Sequence, residues 1–62
     1  MQVTFRVSGV EYGHRNYAMP HDEDYVIEAD SVGDALNELV NRSGMWETLD
    51  HTRPFTIEVI PS

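Results

Sequence analysis

Sixty-two residues limit the chain to one domain, whose core covers only about 60% of the surface an unfolded chain exposes. Eleven Asp and Glu stand against four Arg and no Lys, a formal charge of −7. This argues against direct binding to nucleic acid or to an anionic membrane, because both demand Lys and Arg. Cysteine is absent, which removes disulfides and thiol chemistry, and no run approaches the ~18 consecutive apolar residues of a membrane span.

Gln2 to Ser8 alternates, with Val3, Phe5 and Val7 on one face and Thr4, Arg6 and Ser8 on the other, the pattern of a half-buried strand. This opening has neither the basic region nor the apolar region of a signal peptide, so a cytoplasmic location is expected. At Ser8-Gly9 the phase slips by one and Val10 and Tyr12 take the apolar positions, which predicts a β-bulge. Gly13-His14-Arg15-Asn16 is the turn candidate, and Tyr17 and Met19 begin the return leg. Pro20 in that leg requires an edge strand. Residues 9 to 22 read either as this extended hairpin or as a long loop.

Asp24 to Ala29 is the second strand proper, with Tyr25, Ile27 and Ala29 facing one way and Asp24, Val26 and Glu28 the other. Ser31 is a good helix N-cap and Asp34 follows three residues later, a short-armed capping box. Val32, Ala35, Leu36, Leu39 and Val40 recur at i, i+3, i+4, i+7 and i+8, one apolar stripe. Arg42 suits the last turn, and Gly44 suits the position after the helix end. Met45, Trp46 and Leu49 are expected to form an irregular turn that plugs the core, Trp46 included. The last strand runs from about Pro54 to Ile60 with Phe55, Ile57 and Val59 inward.

The predicted fold is α+β: β-β-α-β in a single domain, a three-stranded antiparallel sheet of order 2-1-3 with one helix on one face. Its crossover through the helix is expected to be right-handed. That order places strand two at an edge and Arg6 in the middle of the outer face, near Glu28 and Glu58, where opposite charges are worth roughly 0.2–1 kcal/mol per pair.

No catalytic set can be assembled from these elements. His14, His21 and His51 fall in turns or connections, no Ser nucleophile sits in a recognisable motif, and one helix on three strands leaves little room for a pocket of about 300 Å³. A non-enzyme without cofactor is expected. His21-Asp22-Glu23-Asp24 lacks the alternation, central Gly and terminal Glu of a calcium loop, and paired His or Cys for zinc. It reads as a solvated acidic turn that keeps an edge strand from pairing, and no metal is expected.

The distribution of acids is the most informative feature. From Asn16 to Asn41 there is no Arg or Lys, and that span holds Asp22, Glu23, Asp24, Glu28, Asp30, Asp34 and Glu38. Asp34 and Glu38 are one helical turn apart, a repulsive pair that only Glu38 can relieve, through Arg42. An uncompensated negative surface attracts a basic groove and speeds association with it. A DNA-binding channel meets about one phosphate charge per 1.7 Å of duplex, so a rigid carboxylate-bearing scaffold can occupy the same channel. Tyr12 and Tyr17, flanking the turn, are weaker contact candidates.

In size, acidity, lack of cysteine and mixed β-α layout, the whole chain resembles the small inhibitors encoded by phages and mobile elements, the anti-CRISPR proteins above all. Its strand-to-helix phrase Ile27-Glu28-Ala29-Asp30-Ser31-Val32-Gly33-Asp34-Ala35-Leu36 is common to many small proteins, and no motif is shared. The resemblance implies a DNA mimic acting in a host cytoplasm and blocking a host or CRISPR effector complex from binding DNA; a monomer or weak homodimer is expected. Its partner would be the basic surface of a nucleic-acid-binding effector complex. The alternative is a homo-oligomeric interaction module whose acidity reflects solubility or salt adaptation, with Val26 and Ile60 on the outer sheet face buried together with Tyr12 and Tyr17.

Overall fold

The computed structural model describes residues 1–13 and 17–61. Strand β1 (Gln2–Tyr12) and strand β2 (Ala18–Glu28) form an antiparallel hairpin, helix α1 (Val32–Arg42) follows, a single 3₁₀ turn covers Met45–Glu47, and strand β3 (Thr56–Ile60) returns to β1. The sheet order is β2-β1-β3, antiparallel at both pairings, with β2 at an edge as Pro20 requires. The eleven-residue hairpin arms make the molecule long, 39 × 20 × 17 Å.

The alternation of β1 runs further than the sequence suggests. Pairing is continuous from Gln2↔Glu28 to Tyr12↔Ala18, with Gly9 opposite His21 and no bulge. Gly9 keeps its place on the inner face because a side chain there has no room: a Cβ would lie 2.8 Å from Phe55 Cβ and 2.9 Å from Leu49 Cδ1. Glu11 therefore faces inward, and Val10 and Tyr12 outward. The Gly13 amide donates to Tyr17 O at 2.9 Å and closes the hairpin. The proposed turn at residues 14–16 lies outside the described residues.

β1 runs to Tyr12 and the return leg is one strand from Ala18 onward, so the long-loop alternative for residues 9 to 22 fails at residues 9–12 and 18–22, and His21-Asp22-Glu23-Asp24 is not a turn. His21 is buried, 3% exposed, on the inner face. The sequence misplaces it because an acidic run beside a proline looks like a connection.

Helix α1 starts where its cap predicts. The Asp34 amide donates to Ser31 Oγ at 3.1 Å, a cap worth about 1 kcal/mol. Gly44, at φ 77°, follows the helix end in the left-handed conformation that favours glycine. Of the apolar stripe, Ala35 and Leu39 are fully buried against Val3, Phe5 and Val7, while Val32 and Leu36 remain exposed. Burial of Leu39 alone contributes on the order of 2 kcal/mol.

Beyond the helix, Met45 and Leu49 plug the remaining core. Leu49 bridges to Glu11, and the Asp50 amide donates to Val10 O at 2.8 Å. Trp46 is not part of the plug. Its ring is partly exposed and stands edge-on to Phe55 and His51, and its Nε1 donates to Val40 O at 2.7 Å. A 3₁₀ turn directs residues 45 and 46 to different sides, so only one of the two can point inward. β3 begins at Thr56, two residues after Pro54, and its inward Val59 is left exposed by the helix.

Candidate acidic interface

The seven carboxylates group by where β2 carries them. Along the strand, Asp22, Asp24 and Glu28 point to the outer face and Glu23 to the inner face. Asp30 follows the strand end, and Asp34 and Glu38 come from the facing flank of α1. Between strand end and helix lies an open groove of about 450 Å³, lined by Glu28, Asp30, Asp34 and Glu38 together with Asn37, Asn41, Ala29 and Arg42. The fold thus has room for a groove of ligand size after all, because it opens beside the helix and not beneath it.

Charges in the groove are partly answered. Arg42 Nη1 lies 3.2 Å from Glu38 Oε1, as the i, i+4 spacing predicts. The Met1 amino group lies 3.2 Å from Glu28 Oε1 and also donates to Ala29 O at 2.7 Å. Asn41 donates to the backbone and side-chain oxygens of Asn37. Asp30 and Asp34 make no ion pair among the described residues.

The outer face holds a second acidic group. Arg6 sits opposite Asp24 on one side and Glu58 on the other. Its Nε and Nη2 donate to Asp24 Oδ1 and Oδ2 at 3.0 and 3.3 Å. This fork-to-fork contact holds the Asp24 carboxyl below its ordinary range and raises the guanidinium, which Asp22 and Glu58 raise further. The expected Arg6–Glu28 proximity is wrong: Glu28 pairs with Gln2, at the far end of the strand. Three carboxylates around one guanidinium leave this patch negative.

On the inner face Glu23 and Glu11 lie near Tyr25, whose phenol is raised by burial and then by those two charges. Glu11 Oε2 is 3.6 Å from His21 Nδ1, and neither nitrogen of that buried ring has a hydrogen-bond partner among the described residues. Sequence reasoning missed Glu11 because a slip at Gly9 would have turned it outward. It counted Glu58 only as a partner for Arg6.

The acids therefore form a band along the β2 side of the molecule and are not confined to one face. Arg6, Arg42 and the Met1 amino group tie up three of them, Asp24, Glu38 and Glu28. Tyr12 and Tyr17 are both exposed next to the hairpin tip, but the Arg53 guanidinium lies 5.8 Å from the Tyr12 ring centre and covers part of it. Among the described residues, no three His, Asp or Glu side chains are arranged to hold a metal ion, and no helix is long and apolar enough to cross a membrane. Comparison with known proteins gives no match to a family model, a curated protein or a solved structure.

Proposed function

We propose that this chain is a small non-enzymatic inhibitor that lays its acidic band on the basic nucleic-acid-binding surface of a protein partner and keeps nucleic acid away. The observation that carries this reading is the groove beside β2, where four carboxylates converge and, among the described residues, Arg42 answers Glu38 and the Met1 amino group answers Glu28, leaving Asp30 and Asp34 without an ion pair. Asp22 continues the negative surface along the outer face of β2, beside the Arg6–Asp24 pair. A regular strand and a capped helix hold these groups, so little ordering entropy opposes their docking. The contact set is Asp22, Glu23, Asp24, Glu28, Asp30, Asp34 and Glu38; Tyr12 and Tyr17, at the hairpin tip away from the groove, are a separate and weaker contact. An effector complex of the kind that anti-CRISPR proteins block is the partner class this chemistry suits.

The test is capture followed by displacement. Immobilised protein is exposed to host lysate at about 50 and about 500 mM salt, a range over which electrostatic contacts of this kind weaken by orders of magnitude. A captured nucleic-acid-binding protein is then loaded with a labelled duplex, and release is followed by anisotropy. The expected result is capture at low salt only and release of the duplex. Joint substitution Asp22→Asn, Glu23→Gln, Asp24→Asn, Asp34→Asn and Glu38→Gln should abolish both. Capture that ignores salt and survives the five substitutions removes the proposal.

A further inference from the structure

The two free edges of the sheet are protected unequally. β2 presents Pro20 and the carboxylates of Asp22, Glu23, Asp24 and Glu28, all of which discourage another strand from pairing. β3 presents one charge, Glu58, in Thr56–Ile60. Beside β3 the inner face is also uncovered. The flank of α1 that carries Asp34 and Glu38 lines the groove on the β2 side. Val32, Leu36 and Val40, a single row at i, i+4 and i+8, therefore lie on the flank toward β3. Val32 and Leu36 are 43% and 41% exposed, and Val59 on the strand is 51% exposed. Trp46, held to Val40 O and standing against Phe55, closes one end of this seam.

We propose that this edge joins two copies of the chain, their β3 strands pairing antiparallel about Ile57 and their helix rows meeting above the joined sheet. The strand's own order of residues identifies a second copy as the occupant. With Ile57 on the two-fold axis, Thr56 of each copy lies opposite Glu58 of the other, and Phe55, the residue just before the strand, comes opposite Val59 when the ladder extends by one residue. Inward residues meet inward ones, and aromatic meets β-branched, a favourable cross-strand pair. Centring the pair on Glu58 would set two carboxylates face to face, which disfavours that register. The charge distribution agrees. The acidic band of each copy falls at the outer end of the joined sheet, where two chains of charge −7 repel least. This inference stands apart from the inhibitor reading, since both grooves stay open in the dimer.

Sedimentation of the intact chain, from micromolar to millimolar concentration and at low and high salt, tests it. The mass should rise from 7.1 kDa to twice that value, and should do so at lower concentration in high salt, which screens self-repulsion. Partner binding through the acidic band has the opposite salt dependence. Val59→Lys and Leu36→Lys should each hold the mass at the monomer value with an unchanged circular dichroism spectrum, and Val26→Lys on the exposed outer face should leave the dimer intact. On mild oxidation Ile57→Cys should cross-link and Val59→Cys should not, because residues 59 of the two copies lie roughly 13 Å apart at about 3.3 Å per residue. A constant monomer mass overturns the proposal and leaves the edge to a different protein. So does a dimer that survives both lysine substitutions, or cross-linking that favours position 59.

Discussion

The hairpin has two halves that solve the same burial problem with different materials. The proximal half, Val3 to Val7 against Glu23 to Ile27, lies under α1 and is closed by large apolar side chains, Phe5 and Leu39 foremost. The distal half carries Gly9, Glu11 and His21 on the same face and is closed by Leu49 and Phe55. One half is a core of interlocking volumes. The other is a close backbone approach that shelters a polar ring. A chain this short has one helix to spend, so the distal half is covered by an irregular segment and its sequence must make room for it.

Truncation and enlargement separate the halves. Leu39→Ala removes a fully buried side chain from the proximal core and should cost about 2–5 kcal/mol, enough to unfold much of a domain whose total stability is of the same order. Gly9→Ala should cost about 1–3 kcal/mol by overpacking, because Phe55 Cβ is backbone-tethered and cannot swing away. Urea denaturation measures both. If the distal half were loosely packed, Gly9→Ala would leave the midpoint unchanged.

The same contrast explains what was legible in the sequence. Two-residue and 3.6-residue periods are written by large apolar side chains, so β1 up to Ser8, α1 with its Ser31 cap, and the sheet order could be read. The seven acids could also be read, and the edge position of the four on β2, Asp22, Glu23, Asp24 and Glu28, follows from Pro20. The period is erased where Gly9 contributes no side chain. The result was a false bulge, a misplaced Glu11 and a buried His21 assigned to a turn. Nor does the sequence show how wide a shadow the helix casts. Val32, Leu36 and Val59 satisfy an inward pattern and are still exposed, because α1 packs toward β2 and leaves the β3 side open.

His21 tests the distal half from the opposite direction. Both ring nitrogens are buried without a hydrogen-bond partner among the described residues, and leaving a polar group in that state costs about 1–3 kcal/mol. His21→Leu keeps most of the volume and removes the penalty. The expected outcome is a gain of about 1 kcal/mol in urea denaturation, smaller than the full penalty because the leucine packs imperfectly against Gly9. A loss of stability would mean that Glu11, 3.6 Å away, supports the ring more strongly than its distance suggests.

Acid provides the weakest separation of the halves, and the sign can be worked out for each. In the proximal half, hydrogen bonds from Arg6 lower the Asp24 carboxyl. In the distal half, the Thr52 hydroxyl and amide, at 2.6 and 3.0 Å, lower that of Asp50. An unfolded Asp titrates near pH 3.9, above both folded values, so below that pH the unfolded chain binds the extra protons. The stabilisation is therefore complete above about pH 4 and drains away as the pH falls through the folded values. Asp24→Asn and Asp50→Asn should each flatten the acid limb of a plot of urea midpoint against pH. The Arg6–Asp24 pair is half exposed, so added salt should erase the Asp24→Asn difference. Asp50 is more enclosed, at 12% side-chain exposure, and it orders the segment that carries Leu49, so its difference should persist in salt. An acid limb unchanged by Asp50→Asn would mean that apolar contact alone ties the distal half to the sheet.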